Sequence, residues 1–200
     1  MEMKKIVTVI ILLLFFAGCG SDTDVVDDQR KAIENFLNGK GYDYIIQSSV
    51  YKYTPVVEDE DGGEGEGEGE GEGEGEGEGM ALSAPVVITP GDEVEFMFAA
   101  YNFNNFRSAE GSGLFFTNFE YLVGGTILNT QFWSFEPKTV RLGDGELIKG
   151  IENGLVGSAE GDSVLLFLTP DLCYGKKNVG LIPKNTSVVW SIRIDKVVKN

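Results

Sequence analysis

The sequence contains no histidine. Catalytic arrangements that pair a serine or cysteine nucleophile with a histidine base are therefore excluded. Metal sites built on imidazole ligands are excluded for the same reason. The functions that remain are those that need no imidazole group.

Cysteine is also scarce, with Cys19 and Cys173 as the two examples. If Cys19 carries a lipid, as argued below, Cys173 has no partner, and neither an intramolecular disulfide nor a thiolate zinc cluster can form. Cys173 stands between Leu172 and Tyr174, with no neighbouring base that would lower the pKa of its thiol. We favour a small buried apolar side chain over a reactive thiol.

Long apolar runs are limited to the N-terminus, where residues 6–17 are apolar except for Thr8. About a dozen residues suit the central region of a signal peptide but fall short of the roughly twenty in a membrane-spanning helix. The following Gly18-Cys19 resembles the bacterial lipobox. We therefore predict a signal peptide over residues 1–18 and a lipid anchor on Cys19, on the periplasmic or cell-surface side of a bacterial membrane. An ordinary secretory signal is the alternative.

Basic residues are outnumbered, with 16 Lys and Arg against 32 Asp and Glu and a net charge of −16. Residues 58–79 supply twelve acids and no bases, whereas residues 80–200 have thirteen acids and ten bases, a net charge of −3. The charge therefore belongs to the first segment, and the second is nearly neutral. No clustered basic face is present, so a nucleic-acid partner is excluded.

The acidic segment contains eight consecutive Glu-Gly units, beginning at Glu64. Glycine is entropically costly to order and glutamates repel one another, so residues 58–79 are predicted to be a disordered, solvated spacer. The alternative is a calcium site. Calcium needs convergent oxygen ligands on a defined loop, which this repeat lacks, so we favour the spacer.

Residues 19–57, between the anchor and the spacer, are predicted to be a tether followed by a short helix and strand. Apolar side chains recur at helical spacing over residues 28–38, and Gly39 is the predicted C-cap. The β-rich run over residues 42–53 predicts either a hairpin or an added edge strand.

From residue 84 onward the pattern changes to short runs typical of β-strands, separated by turns that contain glycine and proline. The predicted strands are residues 86–89, 94–101, 114–117, 139–142, 163–169 and 188–198. A single short helix is predicted over residues 147–154. Residues 80–200 are therefore predicted to form one α+β domain.

Four motifs follow one another between residues 140 and 198: VRLGDGELIKG, an EGD turn before a strand that ends in Thr-Pro, a Tyr-Gly pair, and GLIP before the last strand. One such motif is weak evidence, but four in register over roughly sixty residues are hard to obtain by chance. Together they resemble the C-terminal half of the FKBP-type peptidyl-prolyl isomerases.

This resemblance implies a strongly twisted antiparallel β-sheet half-wrapped around one short helix, here preceded by the accessory helix-strand segment and the disordered linker. It also implies cis-trans isomerisation of Xaa-Pro bonds in proline-containing polypeptide clients, with no cofactor. We expect a monomer. Rotation about such a bond needs an apolar slot for the proline ring and a few hydrogen bonds, and does not need a histidine.

The resemblance also implies the site residues. Leu147 and Ile148 form an aliphatic wall, where the backbone N–H after the first aliphatic residue holds a ligand carbonyl. Tyr174 supplies a hydroxyl donor. The aromatic positions are Trp190, Phe98 and Phe115, and Phe116 replaces Phe115 if the loop is shifted by one residue.

Three positions depart from the family pattern. Ile151 replaces the usual floor tryptophan, Phe116 replaces an acid, and Phe98 replaces a tyrosine. We expect a shallower slot and reduced activity. Two alternatives stay open: that the aromatic residues are simply core, and that the domain is a non-catalytic binding or chaperone module.

An insertion at residues 119–138 is longer than the family's usual connection. Its aromatic side chains are Phe119, Tyr121, Phe132, Trp133 and Phe135. They either pack on the N-terminal helix and strand or form an apolar surface for unfolded clients. We favour internal packing, because long loops usually carry packing of their own.

Overall fold

An antiparallel sheet of seven strands forms the centre of the fold in the computed structural model, which describes residues 22–55 and 84–200. The strands are β1 (Tyr44–Gln47), β2 (Val50–Tyr53), β3 (Glu93–Asn102), β4 (Leu114–Thr117), β5 (Lys138–Arg141), β6 (Ser163–Leu168) and β7 (Val188–Val198). The helices are α1 (Asp22–Lys40), α2 (Phe103–Ser108) and α3 (Lys149–Leu155), with 3₁₀ turns at Glu120–Leu122 and Pro170–Leu172. The predicted α+β fold class is confirmed.

The strand order is β1-β2-β6-β7-β3-β4, and β5 pairs separately with β3. The long strands β3 and β7 pair over their whole length, with Ala100 opposite Trp190 and Phe98 opposite Ile192. Alternate residues of β3 therefore point to opposite faces of the sheet, and both faces are apolar. A sheet with two apolar faces needs a cover on each of them.

The two faces carry separate cores. The front core contains Phe96, Phe98, Leu166 and Trp190, together with Ile151 and Leu155 of α3. The back core contains Ile33 and Leu37 of α1, Phe103 and Phe106 of α2, and Tyr51, Tyr101, Phe167 and Val189 of the sheet. Helix α3 thus covers one face and helices α1 and α2 cover the other.

Helix α1 is longer than predicted, because it begins at Asp22 and ends at Lys40. Gly39 lies inside it, so its prediction as the C-cap is wrong. The residue with a left-handed backbone is Gly41, at φ 68°. The Tyr42 N–H donates to the Leu37 carbonyl at 3.0 Å and the Gly41 N–H to that of Asn38 at 3.1 Å, which is a Schellman motif.

Residues 42–53 satisfy both predicted alternatives. Strands β1 and β2 form a hairpin with a two-residue loop, in which Ser48 and Ser49 have φ angles of 48° and 67°. Strand β2 also pairs with β6, with Tyr51 opposite Phe167. The accessory segment is therefore part of the main sheet, and its removal would expose the edge of β6.

Two local predictions are wrong. The predicted strand at residues 86–89 is a single bridge between Val87 and Ala159. Helix α2 was not predicted, because its six residues are too few to show a helical period. The Asn102 side chain caps it by accepting a hydrogen bond from the Asn104 N–H at 3.0 Å.

The predicted signal peptide, Cys19 and the Glu-Gly spacer lie outside the described residues.

A buried carboxylate holds the end of the chain against the turn before β3. Asp92 accepts hydrogen bonds from the Thr89 N–H at 2.8 Å and the Asn200 N–H at 3.2 Å, and it pairs with Lys199. These donors, with Lys199 first, hold the pKa of Asp92 well below its usual range. The folded state therefore stabilises the ionised form of Asp92 more strongly than the unfolded state does.

We expect Asp92→Asn to lower the free energy of unfolding at pH 7. Because the pKa of Asp92 is lower in the folded state, its ionised carboxylate stabilises the protein at pH values above the unfolded-state pKa of about 3.9. This stabilisation is lost as the pH falls through the folded-state pKa. The difference in urea midpoint between wild type and variant should therefore shrink between about pH 5 and pH 3. A difference that does not change with pH would contradict this role.

Candidate active site

A pocket of about 280 Å³ opens on the front face, beside the N-terminus of α3. It is lined by Phe98, Phe116, Lys138, Glu146, Leu147, Ile148, Ile151, Tyr174 and Trp190. Strands β3 and β7, the segment before α3 and the loop after Leu172 thus meet at one place. Six of the seven predicted site residues lie here, and Phe115 is the exception. Their catalytic roles stay predictions.

Trp190 supplies an aromatic surface to the pocket from the last strand. Its ring centroid is 4.9 Å from that of Phe98, and its side chain is almost fully buried. Ala100 lies directly opposite on β3, and its small side chain leaves room for the indole. Ile151, in the position of the family's floor tryptophan, is buried in the front core. Ile151 therefore lines the pocket where the family has its tryptophan, and Trp190 supplies an aromatic surface from the strand. The shallower slot stays a prediction.

Phe116 rather than Phe115 lines the pocket from β4. The β3–β4 pairing shifts register between Ala100 and Tyr101, so that Tyr101 pairs with Leu114 and Ala100 with Phe116. A bulge of this kind leaves Phe115 unpaired. Phe115 instead packs on the Tyr174 ring, at a centroid distance of 6.2 Å in an edge-to-face arrangement.

Two of the donors that the resemblance assigns to the pocket have no protein partner within the described part of the chain, and the buried indole N–H of Trp190 also has none. One is the Tyr174 hydroxyl, and the other is the Ile148 backbone N–H, whose own carbonyl accepts from the Ile151 N–H at 2.9 Å. Burial raises the pKa of Tyr174 to about 12, and the nearby Cys173 adds to this. The phenol therefore stays protonated at physiological pH and is a hydrogen-bond donor.

The rim of the pocket carries two charged residues that the sequence reasoning missed as site residues. Lys138 and Glu146 approach within 4.0 Å, and both side chains are partly exposed. An ion pair of this kind contributes little to stability. A signal for Glu146 was present, because it is the acidic residue directly before Leu147 and Ile148. Lys138 could be assigned to the pocket only from the register of β3 and β5, which pairs it with Phe96.

Cys173 lies beside the pocket and behaves as a packed thiol. Its sulfur donates to the Thr169 carbonyl at 3.3 Å, and burial raises its pKa to about 11. Both observations favour the unreactive interpretation.

Within residues 22–55 and 84–200 no cluster of three or more metal-binding side chains is present, and no helix is long and apolar enough to span a bilayer.

The long insertion divides its aromatic side chains between two environments. Phe119 packs against the back core, as predicted for the whole set. Tyr121 is 76% exposed and Phe132 is 88% exposed, so the prediction is wrong for these two residues. Trp133 contacts the Phe116 ring at a centroid distance of 5.1 Å, edge to face, and so extends the pocket side of the molecule.

Comparisons with known proteins agree on the family. The model of the FKBP-type peptidyl-prolyl cis-trans isomerase family matches residues 116–195. FK506-binding protein 1 of Dictyostelium discoideum is 30% identical over 74 residues, which cover 36% of this chain and 69% of that protein. FK506-binding protein 1 of Aspergillus oryzae is 34% identical over 61 residues, covering 30% of this chain and 53% of that protein.

Other matches are partial. The chain is 43% identical to FK506-binding protein 4 of Chaetomium thermophilum, over 29% of this chain but only 12% of that longer protein. The chain therefore spans between about a tenth and about half of the length of these first relatives. The crystal structure of FkpA from Escherichia coli superposes with a TM-score of 0.53 at 19% identity, over 88% of this chain and 61% of that chain. At this identity the superposition shows the fold alone.

Proposed function

Because the chain belongs to the FKBP-type peptidyl-prolyl cis-trans isomerase family, we propose that it catalyses cis-trans isomerisation of Xaa-Pro bonds in polypeptides outside the cytoplasm. The proposal rests on the apolar, aromatic-lined pocket, in which two hydrogen-bond donors have no protein partner among the described residues. These donors are the Tyr174 hydroxyl and the Ile148 N–H. The test is acceleration of proline isomerisation in a peptide.

The chemistry follows from the electronic structure of the bond. An Xaa-Pro bond rotates slowly because its C–N bond has partial double-bond character. Water stabilises the planar, charge-separated form of the amide, so a dry apolar pocket favours the twisted form. The proline ring packs on the Trp190 indole, and the Ile148 N–H and the Tyr174 hydroxyl hold flanking carbonyls while the bond turns. No proton transfer and no cofactor are needed.

Tyr174→Phe tests the hydroxyl donor. We expect kcat/KM for a Leu-Pro peptide to fall by about tenfold, which corresponds to ~1.4 kcal/mol, the upper part of the range for one hydrogen bond. The ring and its packing on Phe115 remain, so the melting temperature should change little. Because the pKa of Tyr174 is about 12, the wild-type rate should not depend on this group between pH 6 and pH 9. An unchanged kcat/KM in the variant would remove the hydroxyl from the mechanism.

The location outside the cytoplasm rests on the sequence of the first nineteen residues, which lie outside the described part. The apolar run before Gly18-Cys19 supports a lipid anchor on Cys19. We expect Cys19→Ser to release the protein from the membrane fraction of a bacterial host. Retention of the variant in that fraction would contradict the anchor.

The second candidate is a non-catalytic binding or chaperone module on the same fold. Phe98 and Phe116 favour it, because they remove a hydroxyl and an acid from the family's pocket. This candidate predicts suppression of aggregation of an unfolded client without any acceleration of proline isomerisation. Acceleration with a saturable peptide dependence would reject it.

A further inference from the structure

A second groove of about 500 Å³ adjoins the pocket. The two cavities share Phe98, Phe116 and Lys138. The far wall of the groove comes from the long insertion, including Phe132 and Trp133. The two cavities are therefore neighbours on the same side of the molecule.

Aromatic rings connect the pocket to the groove in a continuous series. The ring centroids are 4.9 Å apart from Trp190 to Phe98, 5.0 Å from Phe98 to Phe116, and 5.1 Å from Phe116 to Trp133. Phe116 is 39% exposed although it lies between two other rings, so part of its surface is open to a ligand. Phe132 adds a nearly fully exposed ring at the outer end.

The groove is fixed to the sheet at both ends of the insertion. The buried Asn118 accepts a hydrogen bond from the Phe98 N–H at 2.6 Å and donates to the Glu136 carbonyl at 3.0 Å. Pro137 follows Glu136 and restricts the backbone at this junction. A wall that is already positioned loses less conformational entropy when it binds a peptide.

We propose that this groove binds an aromatic or large aliphatic side chain of the same client, two to four residues away from the proline. The proposal rests on the proposed function, because it places the proline in the neighbouring pocket. The ring centroids of Phe98 and Trp133 are each about 5 Å from that of Phe116, so they are at most about 10 Å from each other. One residue of an extended chain adds ~3.3 Å, so this distance corresponds to about three residues. The preferred substrates are apolar segments that carry both a proline and a second large side chain.

The test uses the full chain and peptides that share one Leu-Pro bond. The minimal peptide has alanine at all flanking positions, and each extended peptide carries one phenylalanine two, three or four residues to either side of the proline. We expect kcat/KM for the best extended peptide to exceed that of the minimal peptide by roughly tenfold, since burial of one large aromatic side chain is of this order.

Two variants assign this preference to the groove. Trp133→Ala should bring the ratio of the two kcat/KM values close to one, and Trp133→Phe should restore most of it. Tyr121→Ala is the matched control, because Tyr121 is an aromatic residue of the same insertion, is 76% exposed and does not line the groove. The control should keep the wild-type ratio. Thermal melting checks that Trp133→Ala remains folded.

A ratio near one for every wild-type peptide, or a preference that survives Trp133→Ala, would overturn the groove proposal while leaving isomerase activity on the minimal peptide intact. Absence of acceleration on the minimal peptide would instead reject the proposed function. In that case equilibrium binding of the same labelled peptides, measured by fluorescence anisotropy, shows whether the groove binds the phenylalanine side chain. Tighter binding of a phenylalanine peptide that is lost in Trp133→Ala supports it, and equal binding of all peptides overturns it.

Discussion

Replacing Trp190 by alanine is expected to remove nearly all isomerase activity and to destabilise the domain strongly. The indole is buried between the front core and the pocket, where it contacts Phe98. Truncation of a buried tryptophan costs about 3–5 kcal/mol, because it leaves a cavity. It also removes the surface on which the proline ring packs, so we expect kcat/KM to fall by roughly a hundredfold, or ~2.7 kcal/mol.

Trp190→Phe separates the two effects. The indole N–H is buried and has no hydrogen-bond partner among the described residues, so its loss leaves no polar group unsatisfied. We expect this variant to lose less than about 1.5 kcal/mol of stability and to keep most of its activity. Urea denaturation and a proline-isomerisation assay measure both quantities. Full activity of a folded Trp190→Ala protein would show that the indole is only a core residue.

Gly150→Ala is expected to be the second most damaging change, although alanine favours helices. A Cβ atom at Gly150 would lie 2.7 Å from the Leu168 side chain and 2.9 Å from the Leu172 backbone carbonyl. The carbonyl can move only with its loop, which carries Tyr174 two residues later. Overpacking of this kind costs ~1–3 kcal/mol, which exceeds the gain in helix propensity of about 1 kcal/mol. Unfolding free energy and kcat/KM should both fall.

Gly39→Ala is the matched control for this prediction. Gly39 is also helical, and a Cβ atom there would meet nothing within 4 Å. We expect this substitution to stabilise the protein by up to about 1 kcal/mol and to leave the activity unchanged. Equal effects at Gly39 and Gly150 would show that close packing of Gly150 against the Leu172 carbonyl does not position the pocket elements.

The part of the site that the sequence predicted well is the part carried by short, contiguous motifs. Leu147 and Ile148 stand directly before α3, and Tyr174 lies two residues after the 3₁₀ turn that follows β6, so short motifs sufficed to carry the family resemblance over to them. Trp190 lies in the middle of a long alternating strand, where the register of β7 was evident. These positions depend on backbone geometry within a few residues.

The rest depended on contacts between distant segments. A bulge opposite Ala100 decided between Phe115 and Phe116, and a bulge has no reliable sequence signature. Helix α2 was too short to show a period. The groove beside the pocket could not be predicted from the sequence, because residues from both ends of the insertion meet there only in the folded structure.

The accessory segment has a practical consequence for experiments. Strand β2 pairs with β6, and α1 covers the back core, so a protein that begins after the spacer would expose an unpaired edge and an apolar face. Tyr51 also donates from its hydroxyl to Glu34 at 2.7 Å and so joins the hairpin to α1. Measurements of activity and stability therefore need the full chain.

The central claim is that this pocket catalyses rotation about Xaa-Pro bonds, and exchange spectroscopy on a Leu-Pro peptide tests it most directly. Uncatalysed exchange takes tens to hundreds of seconds at 25 °C. We predict that the full chain accelerates exchange in proportion to its concentration, that Tyr174→Phe lowers the rate by about tenfold, and that Trp190→Ala nearly abolishes it. An exchange rate equal to that of the free peptide, at protein concentrations where binding of the peptide is detected, would contradict the claim.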